Sequence, residues 1–155
     1  MKTFTKIYLF SMVLAISFQA TAKESFTFGA GLGTFYSGLG VNVGVQSETE
    51  LKYLSFGCVS YSSLAGETCG AGMGWVKTDL FNSTNTKHGT SIYLGIVASE
   101  DNHFDDDAVY GVGLGYHYFF NGISHSGTNL GFTITAGNDD DGLDIGGIIQ
   151  LGYQF

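Results

Sequence analysis

The sequence predicts an all-β chain: eight antiparallel strands closed into an up-and-down transmembrane β-barrel, preceded by a cleaved signal peptide. Three observations predict it. Apolar and small residues alternate with a period of two through eight runs, one face of each run is bulky while the other is largely glycine, and a short apolar leader opens the chain.

The leader comes first. Lys2 and Lys6 precede an apolar run, Ile7 to Phe18, interrupted only by Ser11 and Ser17, and Ala20-Thr21-Ala22 supplies a small-x-small cleavage pattern. The run falls short of the ~20 apolar residues that span a bilayer as a helix. Residues 1–22 therefore read as an export signal, and residues 23–155 as one domain.

Each run of that domain then comes in order. The first carries Phe26, Phe28, Ala30 and Leu32 on one face, with Thr27 and glycines on the other. The second moves its apolar set to odd positions, Leu39, Val41, Val43 and Val45, and this parity switch demands a turn at Tyr36-Ser37-Gly38. The third has Leu54, Phe56 and Cys58, and the fourth Cys69, Ala71, Met73 and Trp75. Next come Ile92, Leu94, Ile96 and Ala98, then Tyr110, Val112, Leu114, Tyr116, Tyr118 and Phe120. Leu130, Phe132 and Ile134 make the seventh, and Leu143 through Phe155 on odd positions the eighth. Proline, which would break ladders, is absent.

The faces separate a soluble barrel from a membrane one. Eight strands enclose an interior just wide enough for side chains to fill. Rows of Leu, Phe, Ile and Tyr cannot all fit there, whereas glycine-rich rows can. The bulky face must point outward, and only lipid makes that favourable. A soluble lipocalin-like barrel would instead need a charged outer face.

Composition excludes some partners. Of six basic residues, removing Lys2 and Lys6 leaves four against fourteen acidic ones, so the net charge moves from −8 to −10, and arginine is absent. Nothing here could neutralise phosphates, so no nucleic-acid partner is expected.

The C-terminal alternation Ile149, Leu151, Tyr153, Phe155 resembles the assembly signal of bacterial outer-membrane barrels, although Gln150 stands where that pattern favours glycine. The mature chain is similar as a whole to the small eight-stranded OmpA- or OmpX-like class. That resemblance implies the outer membrane of a Gram-negative bacterium, with outer-membrane lipid and lipopolysaccharide as surroundings, the barrel-assembly machinery as a partner during biogenesis, and a monomer. With both ends periplasmic, the outward loops are Thr34–Gly38, Ser62–Thr68, Glu100–Asp107 and Asn138–Gly142. An aromatic girdle then falls at the periplasmic interface: Phe26, Trp75, Tyr118, Phe120, Tyr153 and Phe155. Lys52 and Lys77 share that interface.

A hairpin centred near Leu64 sets Cys58 opposite Cys69, so a disulfide is expected; two free, outward-facing thiols are the alternative. Asp101, Asp105, Asp106, Asp107, Asp139, Asp140 and Asp141 make two acidic outer loops that could hold Ca²⁺ or Mg²⁺ weakly. The EF-hand pattern is not met, because Gly137 and Ile148 occupy required ligand positions, and no cofactor or dedicated metal site is expected. Tyr53, Tyr93, His117 and Gln150 are expected in the lumen, together with Tyr61, Phe119 and Ile148, and Asp144 is expected to place a charge there.

No catalytic residue is assigned. Among small barrels that modify lipid A, deacylases carry a His-x-Ser pair on a late strand, a spacing that His125-Ser126 lack, and palmitoyltransferases use His and Ser near the outer rim. His103, with Ser99 or Ser63, is the alternative site for a lipid A-modifying enzyme; His88 falls in a turn. The reading is a non-enzymatic barrel with a structural or surface-interaction role, a lipid A enzyme its first alternative and a narrow pore its second.

Overall fold

The computed structural model describes residues 24–62, 66–80, 85–102, 105–139 and 142–155. The strands are β1 (Ser25–Gly33), β2 (Gly38–Gln46), β3 (Glu50–Ser62), β4 (Gly66–Lys77), β5 (His88–Asn102), β6 (Asp105–Phe119), β7 (Gly127–Asp139) and β8 (Gly142–Gln154). They pair with their sequence neighbours, all antiparallel, and β8 returns to β1 to close the barrel. The proposed leader lies outside the described residues.

The pairing puts one kind of side chain on each side of the wall. Along the outside run the apolar rows of every strand: Phe26 is 73% exposed, Leu114 69% and Ile149 73%. The inside holds Thr27, Asn42, Ser55, Ser91, His117, Asn129, Thr133 and Gln150, all buried. Glycine admits the larger inward rings. A Cβ on Gly74 would lie 2.4 Å from the Tyr53 ring, and one on Gly152 would lie 2.3 Å from the Tyr36 hydroxyl.

Several strands run further than the polar composition of their ends suggests. Ser62 and Gly66–Thr68 belong to the β3–β4 hairpin, and Asp101 and Asp105–Asp107 to β5–β6, where Asp101 is paired with Asp106 and Glu100 with Asp107. Asp139 likewise ends β7. The acidic segments are thus mostly hairpin flanks, not loops, because ladder hydrogen bonds continue past the point where hydrophobic alternation stops. Asp140, Asp141, His103, Ser63 and Leu64 lie outside the described residues.

Two irregularities reset the faces. Between Cys58 and Ser60 the β3 register shifts, and Tyr61, expected inside, is 55% exposed. Between Ile96 and Ala98 the β5 register shifts, so that Ile96, expected outside, is buried and Ala98 packs partly against the core. An extra residue in one strand of a pair reverses the facing of the residues beyond it, and that step carries no compositional mark.

Cys58 and Cys69 are paired partners across β3–β4 and are joined by a disulfide. It closes a loop of 11 residues' separation, for which roughly 2–3 kcal/mol of stabilisation is expected. Reducing it should lower the urea midpoint of the refolded barrel accordingly. Equal midpoints for oxidised and reduced protein would mean the β3–β4 pairing already supplies that constraint.

Candidate functional site: the plugged lumen

The strongest concentration of specific polar geometry is inside the barrel, around a segment expected to be an outward loop. Thr34–Tyr36 form a single 3-10 turn, and the chain leaves it through Ser37, with φ of 57°, and Gly38, with φ of 98°. Glycine takes such a φ at no steric cost, and the two residues together reverse the chain. The turn folds inward. Thr34, Phe35, Tyr36 and Ser37 are each at most 2% exposed.

The lumen wall holds this plug by hydrogen bonds from five strands. Gln150 Oε1 accepts from Phe35 N at 3.2 Å and from Thr34 Oγ1 at 3.2 Å. Asn42 Nδ2 donates to Phe35 O at 3.2 Å, and Asn129 Nδ2 donates to the Tyr36 hydroxyl at 2.7 Å. Ser37 Oγ lies 2.8 Å from Ser55 Oγ and 3.1 Å from the Tyr93 hydroxyl, which itself donates to Ile96 O at 3.0 Å. Phe35 stands edge-on to Tyr53, with ring centres 4.5 Å apart, and 5.1 Å from the His117 ring.

Magnitudes show what keeps the plug in. Burying Phe35 and Tyr36 contributes ~1.5–3 kcal/mol each. Fixing four residues costs ~1–2 kcal/mol apiece. The two roughly offset, so the hydrogen bonds decide.

Gln150 is the hub. Its Nε2 lies 3.1 Å from His117 Nδ1, and His117 Nε2 lies 2.7 Å from Ser91 Oγ. A hydroxyl, an imidazole and an orienting amide in series resemble a nucleophile with its base. Here the imidazole is 1% exposed and lies beneath Phe35, so the series fills space and supports the plug.

Towards the end carrying the termini, Gln154 Nε2 bonds Thr27 Oγ1 at 2.9 Å and Asn42 Oδ1 at 3.0 Å, while Thr27 Oγ1 donates to Phe155 O at 2.9 Å. Leu51, Val76 and Phe119, with Ile123 from the β6–β7 turn, close this end of the core. Gln46 Oε1, Thr90 Oγ1, Asn129 Oδ1 and Gln154 Oε1 are buried acceptors without a protein partner.

Of the residues singled out from the sequence, Tyr53, Tyr93, His117, Gln150 and Phe119 line the lumen. Asp144 does not; it is exposed. The six aromatics Phe26, Trp75, Tyr118, Phe120, Tyr153 and Phe155 ring the outside of the terminal end, with Tyr118–Phe120 and Tyr153–Phe155 ring centres 5.0 and 4.8 Å apart. Glu50 ties the same ring to both lysines, at 3.7 Å from Lys52 and 3.1 Å from Lys77, and accepts from Trp75 Nε1 at 3.2 Å. His88 contacts the Tyr116 hydroxyl there, while His125 sits exposed in the β6–β7 turn. The sulfurs of Cys58 and Cys69 lie near Glu67, but as a disulfide they offer no thiolate to a metal. The plug residues Thr34, Phe35 and Tyr36 and the closing residues Leu51, Val76 and Ile123 carry no sequence motif. Their only signal is two adjacent aromatics beside a turn.

Together these features define a closed eight-stranded barrel with an apolar outer wall and an internally plugged lumen. Comparisons with protein-family models, curated proteins and solved structures found no match.

Gln150→Leu should test the hub. It leaves Phe35 N–H without its acceptor, at a cost of ~1–3 kcal/mol, and the amides of residues 34–37 should lose protection from hydrogen exchange. Unchanged protection would show that packing alone holds the plug.

Proposed function

We propose that the mature chain, residues 23–155, is an integral barrel of the outer membrane of a Gram-negative bacterium, with a structural or surface-interaction role and no catalytic activity. One observation carries this reading: bulky apolar side chains cover the outside of all eight strands, while glycine and hydrogen-bonded polar groups fill the inside. In water that exposed face would cost several tens of kcal/mol at ~25 cal/mol per Å²; hydrocarbon removes the penalty. Among the described residues no helix is long and apolar enough to cross a membrane; on this reading the strands are the elements that cross.

Position supports the reading further. The aromatic ring and its two lysines gather at one end of the barrel, as interfacial anchors do. Residues 1–22 serve as the export signal. The acidic hairpin ends then face the cell exterior, where any divalent cation would be held loosely and shared with lipopolysaccharide. The packed lumen favours a closed barrel over a pore, and the burial of His117 argues against its use on lipid A.

Cell fractionation tests the location. The protein should stay with outer membranes through an alkaline carbonate wash, with Lys23 as its first residue by mass spectrometry; recovery in aqueous extract without detergent would overturn the reading. Leu114→Arg, halfway along the outer face, should cost ~2–4 kcal/mol of folding stability in bilayers, and Glu67→Arg, at the far rim, ~0–1 kcal/mol. Equal costs would remove the lipid interpretation of that face.

A further inference from the structure

The barrel wall is incomplete in its far half, away from the termini. β1 pairs with β8 only from Gly29 to Leu32, against Gln154 to Leu151. β7 continues along β8 up to Gly142. β1 cannot continue alongside, because at Thr34 the chain turns into the lumen. Gly33, the last residue of β1, still lies against Gln150 and the Ile149 carbonyl; among the described residues, β8 from Gly142 to Ile148 therefore has a strand neighbour on one side only. Across the gap, β2 leaves β3 after Leu39 meets Cys58.

Independent details agree. A Cβ on Gly142 would meet nothing within 4 Å, one on Gly146 only Thr135, and one on Gly147 only Phe132; both of these belong to β7. Gly31 and Gly29, where β1 is present, would instead strike Leu151 O and Tyr153 O. Asp144, which alternation aims inward, is exposed because the wall beside it is missing.

The direction of the backbone groups comes from alternation. Phe155 N donates to Phe28 O, and the carbonyls of Tyr153 and Leu151 face β1. Odd residues of β8 thus turn N–H and C=O toward β1, and those of Leu143, Ile145 and Gly147 face the gap. Ile145 and Gly147 stand opposite Ala136 and Ile134, inside the apolar band. On the membrane reading, on which this step rests, each such group left unpaired in hydrocarbon costs several kcal/mol.

We propose that this edge is a binding site for an extended polypeptide segment of another protein, added antiparallel to β8 in the place β1 vacates. Acyl chains have no donors or acceptors to offer. A second copy fits poorly: strands tilted ~35–45° and related by a two-fold axis along the membrane normal cross at ~70–90°, so identical edges cannot pair along their length. An extended backbone supplies alternating donors and acceptors at the right repeat, and its affinity rests on main-chain hydrogen bonds. The segment would be uncharged and alternate small with apolar residues, matching Gly146 on the inner face and the outer row of Leu143, Ile145 and Gly147 on the other.

The test uses the whole mature barrel folded in micelles and a synthetic peptide copying Ser25–Gly33, the sequence that already pairs with β8 lower down. Saturable shifts of the Leu143, Ile145 and Gly147 amide resonances are expected, with broadening of the same signals by a nitroxide on the peptide. Ile145→Pro should fold, since the lost N–H has no partner and edges tolerate proline, yet bind at least about tenfold more weakly, the loss of roughly one hydrogen bond in an apolar setting. Ile145→Val should bind as the parent does. The proposal fails if no saturable shift occurs, if the shifts track protein concentration (a second copy) or detergent identity (lipid cover), or if Ile145→Pro cannot fold, which would mean its N–H is already used. These readings are taken in micelles, so a protein that fractionated as water-soluble would sink the membrane reading and leave the edge result standing.

Discussion

Everything in this molecule depends on how little room eight strands enclose. A barrel of this size can fill its interior with side chains but cannot hold the large side chains of all its strands. One face of every strand must therefore be small, and the other must be acceptable outside. Glycine on the inner face of β4, at Gly72 and Gly74, leaves space that the inward rings of Tyr93 and Tyr53 occupy. The same economy at Gly31 and Gly152 makes room for Tyr36. The plug is thus the inner-face counterpart of the apolar outer wall: a lumen lined with glycine is too empty to be stable unless something fills it.

The number and order of the strands, the face each turns outward and the cross-strand position of the cysteines are legible in the sequence, because a two-residue period reports them directly. Legibility ends where the period is interrupted. The Cys58/Ser60 and Ile96/Ala98 irregularities move Tyr61 outside and Ile96 inside without changing composition. The Asp105–Asp107 run reads as loop because charge is rare in strands, yet main-chain pairing there is indifferent to the side chains it carries. The plug is harder still. A five-residue polar-aromatic connection looks the same whether it points out or in, and only the space left by Gly31 on β1 and Gly152 on β8 and the acceptor on Gln150 determine that it points in.

The polar interior shows why such a fold says little about chemistry. Ser91, His117 and Gln150 stand at distances that would suit catalysis, but function depends on access as much as on spacing. Phe35 occupies the place a substrate would need, and the imidazole spends both nitrogens on lumen contacts. The arrangement is better understood as one network running from Ser91 to Thr34, in which a missing member leaves its neighbours buried and unpaired. Specificity of the closed lumen comes from that mutual dependence rather than from any single bond.

The plug and the open edge of β8 are two consequences of one choice made at Gly33. There the chain can continue β1 upward and complete the wall, or bend inward and fill the lumen; it is too short to do both. Bending inward gains the aromatic packing and the Gln150 hydrogen bonds, which are internal and permanent. Its cost is displaced to the far half of β8, where backbone groups are left facing a gap. A completed wall would have removed every edge from the barrel, the usual protection against strand addition. By using the segment as a plug, the fold keeps its lumen closed and, among the described residues, leaves Gly142 to Ile148 of β8 without a strand on that side.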